Sequence, residues 1–194
     1  TMFNTQGGKL MKKQLRYLEK KYTFSKLYNL LEEDIVGEPL ILNSKYLTSH
    51  NTIDHLYHVG QFINKTNIKL NKINSVVEWG GGYGNMAKLF RKLKKDLTYT
   101  IIDTPLFSML QWLYLSTIFG EKIVHLIDST KERIHEGEIN ILPLSFMKNV
   151  PLTADLFVST WALSESSKQS QDYVTDNQWF NAEHLFLAYS KSNK

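Results

Sequence analysis

The chain has 194 residues, 42% of them hydrophobic, which supports one sizeable core and is short for two full domains. A formal charge of +4 is modest and sits largely in Lys9 to Lys26 and Arg91 to Lys95, on predicted helix exteriors, so nucleic-acid binding is not expected. Zero cysteines exclude a disulfide framework, a thiol nucleophile and a cysteine-based zinc site, and no apolar run approaches the roughly 20 residues of a membrane span.

No signal-peptide pattern opens the chain, so the cytoplasm is the expected compartment. Thr1-Met2 puts a residue ahead of a plausible start methionine, and the first few residues are set aside. From Lys9 to Glu33 the pattern predicts a charged amphipathic helix marked by Leu15, Leu18, Tyr22, Leu27 and Leu30, a cap for the domain or a contact for a second subunit. Gly37 and Pro39 break it. Ser49-His50-Asn51-Thr52 then reads as the entry to a helix from Ile53 to Asn64, which carries His55, Tyr57 and His58.

Val76-Val77-Glu78-Trp79 followed by Gly80-Gly81-Gly82-Tyr83-Gly84 is a buried strand running into a glycine-packed turn. Met86, Leu89, Phe90 and Leu93 recur at one-face helical spacing after it, so the reading is strand, tight turn, amphipathic helix. Such turns let a ligand approach the backbone closely and meet free helix amides. Gly82-x-Gly84-x-x-Ala87 satisfies the dinucleotide fingerprint. Counted from Glu78, the same residues read acid-x-Gly-x-Gly-x-Gly, the first motif of enzymes that use S-adenosylmethionine (SAM). A carboxylate at an apolar strand end favours the second reading, because the cationic methionine end of SAM would partner it and a pyrophosphate would be repelled.

Leu97 to Ile102 is β-branched and aromatic and ends in Asp103-Thr104-Pro105. An acid about 20 residues past the glycine turn, at a strand tip, is placed for ribose hydroxyls. Asp103 also reads as the N-cap of the next helix, with Pro105 in its first turn. That helix runs to about Phe119, and Leu106, Leu110, Leu113, Tyr114 and Ile118 make it apolar all round, which predicts burial between the sheet and another layer. Lys122 to Ile127 alternates weakly, and Asp128 to Gly137 reads as a loop. Ile139 to Leu142 is the candidate third parallel strand, Asp155 to Thr160 the fourth and His184 to Tyr189 the fifth, with a polar helix from Gln171 to Phe180 between the last two. The fold class is α/β, a Rossmann-like, mostly parallel sheet with helices on both faces.

With these residues in place the chain resembles class I SAM-dependent methyltransferases, and more narrowly the bacterial sugar O-methyltransferase family. Glu78-Trp79-Gly80-Gly81-Gly82-Tyr83-Gly84, Ile101-Ile102-Asp103-Thr104-Pro105, Leu110-Gln111, Tyr114-Leu115-Ser116, Asn140-Ile141-Leu142-Pro143 and Asp155 to Thr160 running into Ala162-Leu163-Ser164-Glu165 carry the resemblance. The resemblance runs from about Asn51 to Tyr189, so the expected division is a helical cap or arm over residues 1–50 and a SAM-binding domain over 51–194. It further implies that Glu78, Gly80, Gly82 and Gly84 surround the methionine part of SAM, that Asp103 holds the ribose, that Leu144 to Phe146 border the adenine, and that Gly81, Tyr83 and Thr104 belong to the cofactor-binding set. Ser159 to Glu165 would lie beside the transferring methyl group, on the substrate side, with Ser159, Thr160 and Trp161 counted as cofactor-binding. Domains of this family continue past the fifth strand with a helix and two more strands, so C-terminal strands are expected to be missing here, or the sheet edge to be completed by a partner.

Methyl transfer to a sugar hydroxyl needs alignment and a general base. Glu165, just after the fourth strand, is the first candidate, and His58, three residues from His55 on one helix face, the second. No metal site is expected, since the two histidines lack an obvious third ligand. The expected acceptor is a small molecule or glycan precursor. Two other readings stand beside this one: an NAD-dependent oxidoreductase or epimerase, and a non-catalytic partner protein with a methyltransferase-like shell.

Overall fold

The computed structural model describes residues 4–189, and the chain divides into two compact units, residues 1–70 and 71–194. The chain start at Thr1-Met2 lies outside the described residues.

The first unit holds α1 (Asn4–Lys21), α2 (Phe24–Leu31) and α3 (His50–Thr66). The single helix expected from Lys9 to Glu33 is therefore two. Thr23 adopts extended angles and its hydroxyl accepts from the Lys26 amide, starting a new helix where the first one ends. α1 packs on α3 at Gly60, whose missing Cβ leaves room for the Tyr17 ring, and the Tyr17 hydroxyl donates to the Gly60 carbonyl at 2.9 Å. Ser49 caps α3, and the buried Glu33 carboxylate accepts from the Ser49 and Thr52 hydroxyls. The expected division after residue 50 falls at the start of α3, a helix whose packing partners α1 and α2 belong to the first unit.

The second unit is built from β1 (Ser75–Trp79), α4 (Asn85–Leu93), β2 (Thr98–Asp103), α5 (Pro105–Phe119), β3 (Val124–Leu126), β4 (Ile139–Pro143), β5 (Leu156–Thr160), α6 (Ala162–Glu165), α7 (Lys168–Asp176) and β6 (His184–Ala188). All six strands are parallel, in the order β3-β4-β2-β1-β5-β6. This is the expected Rossmann-like α/β fold. β1 and β4 are buried on both faces, which explains why their sequences run apolar without alternating. The weak pattern at Lys122 to Ile127 is a real edge strand, so Ile139 to Leu142 is the fourth strand in chain order. β1 lies between β2 and β5, so the chain winds outward in opposite directions from it, and a crevice opens at the strands' carboxyl ends.

Two expectations fail in this unit. α5 has the expected bounds but is not sandwiched: Ser108, Gln111, Tyr114 and Leu115 are buried, whereas Leu106, Met109, Leu110 and Leu113 form an exposed stripe at helical spacing. All-round apolarity here reflects one core face and one uncovered face. The polar helix expected to reach Phe180 stops at Asp176. Beyond it Gln178, Trp179, Phe180 and Asn181 take φ values of 51, 56, 58 and 56°, a left-handed turn that L-residues resist. Core packing holds it, with Phe180 buried and the Trp179 ring meeting Phe157 edge-on at 5.3 Å.

Candidate functional site

The crevice at the end of β1 is shaped by what its glycines omit. Gly80 has φ +73°, and a Cβ on it would lie 2.2 Å from that of Ala162, so the first residue of α6 sits directly on the turn. Gly84, at φ +99°, caps α4 with backbone alone and lies under Leu115 of α5. The turn is closed by the Gly80 amide donating to the Ile102 carbonyl and the Gly84 amide to that of Gly81, both at 2.9 Å. A cleft of about 370 Å³ opens beside it, lined by Gly80, Gly82, Asp103, Phe107, Thr160 and Trp161, with Ala162, Glu165 and Ser166 on the α6 side.

The two acids at the strand ends have opposite surroundings. Glu78 is 1% exposed, and its carboxyl group lies beneath the turn, where a Cβ on Gly81 would come within 3.1 Å of Oε2. The Tyr99 hydroxyl donates to that oxygen at 3.0 Å. Register explains the contact: Tyr99 pairs with Val76, two residues before Glu78 on the same strand face. Burial pushes the Glu78 carboxyl up to about 8, with the Tyr99 bond opposing and the Asp103 charge adding. The expected contact between Glu78 and a cationic ligand therefore concerns a side chain that lies beneath the turn, with the glycine backbone between it and the cleft. Its side chain is not among those that line the cleft, and burial favours its protonated form.

Asp103 is the acid that faces the cleft. Its Oδ1 accepts from the Thr104 amide at 2.8 Å and its Oδ2 from Gln111 Nε2 at 2.7 Å. Partial burial raises its pKa, while bonds from Thr104, Gln111 and the Gly81 and Gly82 amides pull the other way. Thr104, not Asp103, is the N-cap of α5, with Pro105 opening the helix. Gln111 also donates to the Gly82 carbonyl at 2.9 Å, so one buried amide ties the glycine turn to the acid. In the sequence it stands only within the Leu110-Gln111 element of the resemblance, with no role attached, and a glutamine inside an apolar helix is the signal that marks it.

The remaining expected residues separate into two groups. Gly80, Gly82, Asp103, Thr160, Trp161 and Glu165 come together around the cleft. Trp161 is held at φ +68°, a strained value for a bulky residue, with its amide donating to the Ala188 carbonyl at 2.7 Å. The others do not line it. Ser159 is buried, its hydroxyl donating to the Trp79 carbonyl and accepting from the Leu163 amide, which pins α6 to β1. Tyr83 packs edge-on against Tyr114 at 5.0 Å. Leu144 and Phe146 are partly buried against the core cluster that includes Ile102, Leu142 and Met147. His58 belongs to the first unit, where Nε2 lies 3.5 Å from Asp54 Oδ2, and Asp54 also accepts from Gln14. A second, apolar pocket of about 230 Å³ lies between α7 and β6, with Leu163, Trp179, Leu187 and Tyr189 in its wall. No helix among the described residues is long and apolar enough to cross a membrane.

No protein-family model matches the sequence, and no curated protein matches it. Among solved structures, the chain is similar to coclaurine N-methyltransferase bound to N-methylheliamine and SAH, at 12% identity and a TM-score of 0.49, over 87% of this chain and 44% of that one. It is similar to the mitomycin 7-O-methyltransferase MmcR at 15% identity and a TM-score of 0.42, over 84% and 42%. It is also similar to PigF with SAH at 14% identity and a TM-score of 0.42, over 66% and 40%. The chain spans less than half the length of each of these proteins.

Proposed function

We propose that this protein binds SAM in the cleft beside the glycine turn and transfers its methyl group to a hydroxyl of a sugar or glycan precursor, in the cytoplasm. The observation that carries the proposal is the orientation of Asp103. It is a carboxylate at a strand tip, fixed by Thr104 and Gln111, next to Gly82 and open to a cleft of nucleoside size. Such an acid suits the paired hydroxyls of a ribose. Gly80 and Gly82 leave room for the methionine part to approach the backbone, and Glu78 supports that turn from below without touching the ligand.

Methyl transfer from a sulfonium is an in-line displacement: the acceptor oxygen forms a bond to the methyl carbon as the carbon–sulfur bond breaks, and the hydroxyl proton must leave. The protein's part is to align the atoms, exclude water and take that proton. Thr160 and Trp161 would wall the methyl side, and Glu165, exposed on the cleft's rim, is the base. The sugar acceptor is favoured by the ordered motifs of the resemblance.

Calorimetric titration with SAM and S-adenosylhomocysteine is the test, with NADH titrated in parallel and followed by fluorescence. Binding of both adenosyl compounds, weakened in Asp103→Asn, is the expected result. A folded protein that binds neither, or that binds NADH alone, overturns it. Transfer of labelled methyl from SAM to a panel of sugar phosphates and nucleotide sugars then reads the acceptor class.

A further inference from the structure

At the amino-terminal end of β4, the end away from the glycine turn, three side chains from separate stretches of sequence converge. His125 lies in β3, His135 in the connecting loop and Glu138 immediately before β4. The two imidazole rings are parallel within 3° and 3.8 Å apart, so their edges present nitrogens toward one place. That place is taken by the Glu138 carboxylate, whose Oε2 abuts His125 Nε2 and lies 3.8 Å from His135 Nδ1. The three donor atoms all lie within 4.8 Å of one another. His125 Nε2 is sealed from solvent, and the Glu138 carboxylate presses against it without the geometry of a hydrogen bond.

The surroundings hold this arrangement in place. Asn140, fully buried, accepts from the His135 amide at 2.8 Å through Oδ1 and donates to the His135 carbonyl at 3.0 Å through Nδ2. That two-way clamp fixes the loop backbone, and Asn140 is also the residue that pairs with His125 across the strands. Arg91 anchors the next residue pair by donating to the Gly137 carbonyl. The loop is therefore pinned on both sides of the histidine that it delivers.

We infer that His125, His135 and Glu138 form a binding site for a transition-metal dication of the zinc type. Two imidazoles and a carboxylate suit Zn²⁺ or Co²⁺ and not Mg²⁺ or Ca²⁺, which take oxygen ligands. Donors on one such ion stand about 3.4 Å apart for metal–ligand distances of about 2.1 Å, so a small retreat of the carboxylate from His125 would admit it. Three protein ligands leave a fourth position for water. The ion would clamp the loop onto edge strand β3, remote from the methyl-transfer cleft, and the inference stands whether or not that cleft binds SAM.

The test is titration of chelator-treated full-length protein with Co²⁺, read by its visible absorption, and with Zn²⁺ by calorimetry, Mg²⁺ serving as control. One equivalent of Co²⁺ or Zn²⁺ per chain is expected, with affinity weakened at least about tenfold in His125→Asn, His135→Asn and Glu138→Gln. The His135 side chain is 42% exposed, so its replacement leaves the fold intact, as circular dichroism would verify. Absence of binding by the folded protein, or binding unchanged in the His125→Asn/His135→Asn double variant, overturns the site. So does binding that is lost only in His58→Asn.

Discussion

The ends of β1 and β2 each carry an acid, one strand apart, and the fold treats them in opposite ways. Glu78 is drawn beneath the glycine turn, closed off from water and paired with a tyrosine. Asp103 is left at the mouth of the cleft and fixed by an amide on either side. One acid organises the turn from within, and the other meets what enters the cleft. Position in a motif therefore does not define a role: what separates them is the single layer of glycine backbone that lies over one and beside the other.

The sharpest way to break that division is to thicken the layer. Gly81→Ala would put a methyl group 2.6 Å from Ile101 Cγ2 and 3.1 Å from Glu78 Oε2, with the Gln111 amide 3.4 Å away. Overpacking of this kind costs about 3 kcal/mol, and a loss of unfolding free energy below about 1 kcal/mol in denaturant melts would mean that the turn yields easily. Next in size is Asp103→Asn, which removes the charge-assisted partner proposed for the ribose. SAM affinity should fall by about 2 kcal/mol, roughly 30-fold, with the thermal midpoint little changed.

Glu78 gives the complementary signal, in stability and not in binding. Its folded pKa of about 8 lies above the unfolded carboxylate value of 4.5, so the folded state holds a proton that the unfolded state has released. Stability from this group is complete below about pH 4.5 and is lost as pH rises toward 8, at about 1.4 kcal/mol per pH unit. Glu78→Gln keeps an acceptor for Tyr99 and should remove that slope. Urea melts of both proteins at pH 5, 6 and 7 measure it, and parallel slopes would show that Glu78 is ionised in the fold.

Much of this architecture is legible in the sequence, for local reasons. The bounds of α5 follow from Pro105 at its start and Gly120 after its end, and the β1–turn–α4 unit follows from apolar spacing and glycines. What local pattern does not carry is which way a residue faces once both faces of its strand are buried. Every residue of β1 from Val76 to Trp79 is buried, so alternation has no solvent side to mark, and only the Tyr99 register fixes where Glu78 points. The same limit hid the exposed stripe of α5, whose two faces are equally apolar in sequence. The His125, His135 and Glu138 cluster is invisible for a different reason: its members lie on a strand, a loop and a strand entrance, and only the β3–β4 pairing brings them together.

The finest test of the contrast between the two acids concerns Gln111, the residue that serves only the open one. Its amide nitrogen bridges Asp103 Oδ2 and the Gly82 carbonyl, while its own Oε1 is buried without a hydrogen bond, so half of its polarity goes unanswered. Gln111→Leu removes that unanswered acceptor along with the two donated bonds, and the terms offset, leaving stability within about 1 kcal/mol of the parent. Binding should respond differently, because Asp103 then keeps only its backbone partners and must be ordered by the ligand. We expect SAM to bind about fivefold more weakly, on the order of 1 kcal/mol, with the deficit absent in an Asp103→Asn background. A double-mutant cycle by calorimetry measures this coupling. Additive losses would show that Gln111 acts on the cofactor by some route other than holding Asp103.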